Sequence, residues 1–430
     1  MPAPVRTIAA CAVIVVTALA LYWPATSAWF YQDDLQWLAG TLTFKPTDLL
    51  DFDSQTHFFR PVVSLYFWAA TPLFAGSPVA FHWANSVLHA ANGLLVLLLA
   101  RTIGFNRGFA FAVALLFVSM PAYVEAIAWI SALAEPVTTF FGIISLCALL
   151  RARRQGSPSW KATSVVAFFL ALITHESSVV LLPLLVIGDW AFAAPGPREV
   201  FWAGLGSRIR RFVPYAVPLV IYLVLDLVVN QRSYLVEEGH YRLGLHAVEN
   251  LLGYVVTLFV GKRNLPTFIV VTVVLALLVL RGSPRVVFAT AWMLLSILPF
   301  SFFTWNTTSR YAYMPAVGMA LLLGEGLAWL DARLAHGTGS RVRLAGTTGL
   351  AAFVAIRFML FTTENIANFS SRTEPYRRFA QEIREAHPHT TPGATLSVDA
   401  ETADALQFRY VEALAQWEFK DPSLELSVRR

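Results

Sequence analysis

Phe81-His82-Trp83-Ala84-Asn85-Ser86-Val87-Leu88-His89-Ala90-Ala91-Asn92-Gly93-Leu94-Leu95-Val96-Leu97-Leu98-Leu99-Ala100 contains no aspartate, glutamate, lysine or arginine. A helix needs roughly 17 to 25 predominantly apolar residues to cross a bilayer, and this stretch meets that length. His82, Asn85 and His89 recur at i, i+3 and i+7, so they share one stripe of the helix. Polar groups that face lipid are costly, and such a stripe turns toward a bundle interior or a water-filled cavity. The segment reads as a membrane span with other helices packed behind it. Hydrogen bonding between helices accounts for the stripe as well as a binding role does.

The rest of the chain agrees. Of 430 residues, 57% are hydrophobic and 14% charged, against about a quarter charged in soluble domains. Mean hydropathy is +0.58. Further apolar runs fall at 7–23, 108–120, 135–150, 161–173, 177–194, 212–229, 265–280, 286–303, 312–331 and 345–361, which with 81–100 makes about eleven transmembrane helices. The first run is read as a retained anchor; a cleaved signal peptide is the competing reading. The expected fold is an all-α polytopic membrane protein, with a transmembrane domain over 1–361 and a small extracytoplasmic α/β tail over 362–430. In the tail, a helix is expected near 376–386, a strand at 395–398, a helix near 403–417 and a strand at 424–428.

The net charge is +5, yet the basic residues lie between apolar blocks and form no patch with interleaved aromatics, which argues against a nucleic-acid partner. Arg101 and Arg107, then Arg151, Arg153, Arg154 and Lys161, then Arg198, Arg208, Arg210 and Arg211, then Arg281 and Arg285, then Arg333, Arg341 and Arg343 occupy alternate loops. By the positive-inside rule those loops are cytoplasmic. The opposite loops, including a long first one at 24–79, hold the acids. Segment 247–260 is apolar enough to cross, but counting it would reverse every later loop. It reads as an interfacial or re-entrant helix, with Lys262 and Arg263 at the headgroups. The two cysteines, Cys11 and Cys147, sit inside apolar runs and offer neither a disulfide framework nor a zinc site.

Six clusters carry chemistry. Asp33-Asp34 follows the first span, where partial desolvation would raise a carboxylate's pKa toward that of a general base; a solvated loop is the plain alternative. Arg60 precedes Pro61 in the same loop. His82, Asn85 and His89 form the stripe already described. Glu125 and Glu135 flank an apolar stretch after Met120-Pro121, and a helix-end charge would explain either. His175-Glu176 opens the sixth span, where Thr174 as N-cap with Glu176 in the first turn is an ordinary capping arrangement. Arg310-Tyr311 stands at the outer mouth of the tenth span; arginine suits a phosphate through its fixed charge and planar fork of donors, and snorkelling is the alternative.

Taken in order, these pieces resemble the membrane core of GT-C glycosyltransferases, in particular the family of transmembrane O-mannosyltransferases with tetratricopeptide tails and their bacterial relatives. The resemblance runs over about residues 30 to 320: Asp33-Asp34, Phe59-Arg60-Pro61, Phe81-His82 with Asn85 and His89, Met120-Pro121 with Glu125-Ala126-Ile127-Ala128-Trp129, His175-Glu176, and Arg310-Tyr311-Ala312-Tyr313-Met314-Pro315. Met120 stands where the family has histidine, His175 where it has lysine, and the tail has no repeats.

The resemblance implies a glycosyltransferase of the bacterial inner membrane, acting on its extracytoplasmic face. It would move a hexose, mannose-like, from a polyprenyl-phosphate carrier to a hydroxyl of an acceptor protein, lipid or glycan, with inversion. Asp33 or Asp34 would be the base. Arg310, Arg60 and Tyr311 would hold the donor phosphate, and His82, Asn85, His89, Glu125, Glu135, His175 and Glu176 would shape the sugar and acceptor pocket. No cofactor is required, because a phosphate leaves as a weakly basic anion without a general acid; the acidic loop is compatible with a divalent cation. The rival reading is a polytopic transporter or lipid flippase. Its ionisable groups would sit near mid-membrane on broken helices, often related by internal repeats.

Overall fold

The computed structural model describes residues 3–50, 59–192, 205–230, 238–261, 263–305, 307–335 and 339–429. The chain begins with α1 (Ala3–Tyr22), which ends in a tight turn at Trp23–Ser27. The long first loop carries α2 (Asp33–Gly40) and α3 (Pro61–Leu73). A run of helices follows: α4 (Pro78–Thr102), α5 (Arg107–Ser119), short α6 (Val124–Ala128), α7 (Ala134–Gln155), α8 (Pro158–Leu172) and α9 (Leu181–Phe192). Then come α10 (Leu205–Asn230), α11 (His246–Val255), α12 (Leu265–Arg281), α13 (Pro284–Ile297), α14 (Tyr313–Leu334) and α15 (Ser340–Ala386).

Local chemistry sets these ends. The Asn106, Asn264 and Ser283 side chains accept from the backbone N–H groups of Phe109, Thr267 and Val286, capping α5, α12 and α13. Proline occupies the first turn of α3, α4, α8, α12 and α13, where its missing N–H costs nothing. Gly156 ends α7 at φ +64°, the left-handed position that glycine adopts without strain. Connections such as 156–157 and 282–283 are so short that the helices they join must be antiparallel neighbours.

The chain is an all-α polytopic membrane protein with a small two-stranded sheet near its C-terminus. Among the described residues, eight helices are long and apolar enough to cross a membrane. The other three expected spans are helical but shorter: α8, α9 and α12. Segment His246–Val260 meets α12 at 98°, a broken span or re-entrant pair; Lys262 lies outside the described residues. The sixth span starts differently from its sequence reading. The Thr174 hydroxyl bonds the Leu170 carbonyl, and His175 is the N-cap of a tight turn at Glu176–Val180 that precedes α9. At one end of the bundle the basic loops converge: Arg154 bonds the Thr102 carbonyl, Arg153 and Arg211 share Asp189, and Arg285 joins Glu325 and the Gly104 carbonyl.

At 47 residues, α15 is about 70 Å long at 1.5 Å per residue, more than twice the roughly 30 Å of bilayer hydrocarbon. Its C-terminal half continues as the stem of the tail, with Tyr376, Phe379, Ala380 and Ile383 buried in a second apolar core. There β1 (Thr395–Asp399), α16 (Ala400–Leu406), α17 (Phe408–Phe419) and β2 (Glu425–Arg429) form a parallel crossover unit, with Leu396 opposite Leu426 and Val398 opposite Val428. The single helix expected near 403–417 is two, because Gln407 takes φ +63° and breaks it. The same core takes in Leu35, Leu38 and Ala39 of α2 and Val63 and Phe67 of α3. The first loop and the tail are therefore one packed body.

Helices α13 and α14 touch at Gly318, where an added Cβ would lie 2.5 Å from the Ala289 carbonyl oxygen and 2.7 Å from the Met293 nitrogen. Backbone cannot yield as a side-chain tip can. Gly318→Ala is expected to cost about 1–3 kcal/mol by overpacking, read as a lower unfolding temperature in detergent. Gly349→Ala, where nothing lies within 4 Å, should leave that temperature unchanged or raise it.

Candidate active site

The acidic pair divides at the start of α2. Gln32, at φ +44°, turns the chain sharply into the helix, a conformation that costs a non-glycine residue energy. Successive helical residues point about 100° apart, so Asp33 and Asp34 face different surroundings. Asp34 is 1% exposed. It accepts from the Tyr31 N–H at 2.9 Å and the Ser131 N–H at 2.7 Å, and from the Ser131 hydroxyl. Burial pushes its pKa up to about 7, although those donors oppose the rise. Asp33 instead lines a cavity of about 430 Å³. One of its oxygens accepts from the Tyr410 hydroxyl at 2.9 Å; the other has no hydrogen-bond partner among the described residues.

The cavity lies at the end of the bundle opposite the basic loops, beside α2. Its walls come from distant parts of the chain: Asp33 and Trp37, the Trp129–Glu135 turn, Arg60, the His175-Glu176 turn, Asp226 on α10, Tyr241, and Phe300 to Tyr311. The Arg310 guanidinium sits 4.6 Å from the Trp129 ring centre and 4.8 Å from that of Tyr311, and donates to the Tyr311 hydroxyl at 3.1 Å. It makes no ion pair among the described residues. Arg60 is bound at both ends of its fork to Glu176, at 2.9 and 2.6 Å. Of the two arginines, Arg310 is the one with no carboxylate within ion-pair distance among the described residues. Tyr311, Phe300, Phe303 and Trp305 stack in a ladder along the same wall, with Tyr311 and Phe300 4.0 Å apart and Phe303 and Trp305 4.3 Å apart.

Glu135, 2% exposed in the first turn of α7, lines the cavity with neither carboxylate oxygen hydrogen-bonded among the described residues. His175 Nε2 is 3.5 Å away. The Ser177 N–H donates to His175 Nδ1, so in the neutral ring the proton sits on Nε2 and points toward Glu135.

The remaining expected site residues are elsewhere. His82, Asn85 and His89 are buried inside the bundle and are not on the cavity wall. His82 Nε2 bonds the Ala28 carbonyl at 3.2 Å; the Asn85 amide donates to the carbonyls of Ile127, Trp129 and Ile130; His89 bonds the Val118 carbonyl and the Tyr313 hydroxyl. The Asn85 and His89 acceptors lie in or beside the irregular chain between α5 and α7, so these two residues brace the turn that carries Trp129 and Ser131, while His82 ties α4 to the chain after α1. Glu125 also points away, into an ion pair with Arg372 of α15 at 3.0 Å.

Reasoning from sequence passes over Ser131, Asp226, Tyr241 and Tyr410. Asp226, an acid inside an apolar span, is the one with a readable signal. Asn92 extends the stripe by three residues and donates to the Pro136 carbonyl at 2.9 Å. Among the described residues, no group of three or more His, Cys, Asp or Glu side chains converges on a metal position. Asp51, Asp53, His57 and Glu237 lie outside those residues.

No family model matches the chain. A stretch of 149 residues is 27% identical to protein O-mannosyl-transferase TMTC1 of Mus musculus, covering 32% of this chain and 16% of the relative. A stretch of 117 residues is 30% identical to the Homo sapiens protein of the same name, covering 27% of this chain and 13% of the relative. The matches therefore span less than a fifth of those relatives' length. Crystal structures of ArnT from Cupriavidus metallidurans superpose on nearly the whole chain. The apo state does so with a TM-score of 0.60 at 14% identity, covering 99% of this chain and 86% of ArnT. The state bound to undecaprenyl phosphate has a TM-score of 0.57 at 14% identity, covering 99% and 90%. From end to end, the chain has an ArnT-like fold.

Proposed function

We propose that this protein is an inverting glycosyltransferase that moves a sugar from a polyprenyl-phosphate donor to an acceptor hydroxyl, with Asp33 as the base and Arg310 as the phosphate ligand. The observation that carries the reading is that one cavity is lined by a partly buried carboxylate and a guanidinium which, among the described residues, have a free oxygen and no carboxylate ion-pair partner respectively. The solved ArnT complex with undecaprenyl phosphate and the O-mannosyl-transferase relatives support a lipid-phosphate carrier and a hexose, mannose being the first candidate.

In this mechanism Arg310 and the Tyr311 hydroxyl hold the donor phosphate, and the stacked rings beside them guide the lipid neck and one sugar face. The acceptor oxygen attacks the anomeric carbon from the side opposite the phosphate. Its proton passes to the free oxygen of Asp33 as the carbon–oxygen bond to phosphate breaks, and the phosphate leaves as an anion that Arg310 stabilises. No general acid or metal is needed for so weakly basic a leaving group. Glu135 and His175 offer an acceptor and a donor to sugar hydroxyls, and the Arg60–Glu176 pair keeps that wall in shape. The cavity faces the extracytoplasmic side of a bacterial inner membrane, since the arginine-rich loops gather at the other end. Residues 1–361 make up the membrane domain, and 362–430 the tail, which reaches the site through Tyr410. The acceptor is a protein, lipid or glycan.

Asp33→Asn is expected to lower release and transfer of label from polyprenyl-phosphate mannose by about 10²–10⁴-fold, the usual worth of a positioned base, while donor binding is kept. Full activity in that variant would end the base assignment and favour a transporter or flippase. Arg310→Gln should instead weaken donor binding by about 10- to 100-fold, as loss of charge-assisted bonds does, measured by titration with polyprenyl phosphate in nanodiscs.

Asp34 has a different expected phenotype. Its folded pKa of about 7 lies above its ordinary 3.8, so the folded state binds the extra proton between those values. Stability from this group is complete below about pH 4 and declines as pH rises through 7. Asp34→Asn cannot titrate, and it turns a donor toward the Tyr31 N–H. It should be less stable than wild type at low pH and should lack that decline, as read from unfolding temperatures across pH 4–8.

A further inference from the structure

We propose that Tyr410, from the C-terminal tail, is a positioning residue for Asp33, with Arg409 setting the direction of its hydrogen bond. The proposal rests on the reading of Asp33 as the base. Tyr410 is 4% exposed, 377 residues along the chain from Asp33, and its hydroxyl donates to Asp33 Oδ1 at 2.9 Å. Arg409 Nη2 lies 2.8 Å from the same hydroxyl oxygen, and its guanidinium carbon is 4.6 Å from the Tyr410 ring centre. A guanidinium has donors only, so the hydroxyl must accept from Arg409, and its single proton is left for the carboxylate. One oxygen of Asp33 is thereby occupied and the other is aimed at the cavity.

The backbone on both sides fits this account. Gln32, one residue before Asp33, has φ +44°, and Gln407, two residues before Arg409, has φ +63°. Strained non-glycine residues persist where surrounding structure over-determines them. Here each stands at the start of the helix that presents one partner, α2 or α17, and those helices bury Leu35, Leu38, Val411 and Leu414 in one core. The tail supplies part of the site's alignment and is more than a cover over it.

The test is a double-substitution cycle on the full chain in nanodiscs, using polyprenyl-phosphate mannose labelled in the sugar. Tyr410→Phe keeps the ring and removes the hydroxyl. It is expected to lower kcat about tenfold with the donor KM unchanged. In the Asp33→Glu background, where the carboxylate no longer meets the hydroxyl in register, the same change should have no further effect. Arg409→Met should lower kcat by a smaller factor, because the hydroxyl keeps its proton but loses its fixed direction. Gln416→Met removes a donor within the tail, one that bonds the Leu424 carbonyl at 3.1 Å, and should cost stability without changing kcat. Full activity of Tyr410→Phe beside an inactive Asp33→Asn would overturn the positioning role alone. An equal loss in both backgrounds would make Tyr410 merely structural. Full activity of Asp33→Asn would remove the base assignment, and this proposal with it.

Discussion

A bilayer offers no water to a broken helix, so every carbonyl released inside the membrane must find a donor from the protein. That constraint governs this structure. Between α5 and α7 the chain abandons regular helix for a series of short turns. Carbonyls in and beside these turns are met by side-chain donors: the Tyr123 hydroxyl at Phe117, His89 at Val118, Thr362 at Ser119, Asn85 at Ile127, Trp129 and Ile130, and Asn92 at Pro136. With those bonds made, the irregular segment can carry Trp129 under Arg310 and Ser131 against Asp34. Without them these carbonyls would lose their side-chain donors, and the cavity would lose the support of one wall.

Two neighbouring acids illustrate how little distance separates structure from chemistry. Asp34 faces inward and ties the first loop to the turn after α6. Asp33 faces the cavity and meets the tail. The same inward packing that protects Asp34 from water aligns α2, and so aligns Asp33. A comparable division holds for the arginines, since Arg60 is consumed by Glu176 and Arg310 is cushioned on aromatic faces. Aromatic rings hold a guanidinium without neutralising it, which keeps its charge available to an anion.

The long α15 explains how a small crossover unit comes to pack on the first loop beside the cavity. A helix that leaves the membrane without a break transmits its orientation to whatever it carries, and Tyr376, Phe379 and Ile383 join the tail to the first loop in one apolar core. A flexible linker would leave Tyr410 free to wander. The continuous stem holds it against Asp33.

Much of this was legible in the residues alone. Apolar runs broken by arginine-bearing loops determine a polytopic helical bundle, because lipid admits little else, and their charges determine which loops share an end. Asp33-Asp34, Arg60, His175-Glu176 and Arg310 stood out as candidates, and all of these but Asp34 line one cavity. Periodicity showed that His82, Asn85 and His89 share a face, but a stripe reads the same whether it meets ligand or carbonyl. Only the path of the chain after Met120 made it a brace. Likewise Asp33 and Asp34 are indistinguishable as letters. Their separate fates were decided by Ser131 and Tyr410, about 100 and nearly 400 residues away. Local sequence reports what a backbone can do next to itself, whereas burial and hydrogen-bond partners belong to contacts that exist only after the helices have packed.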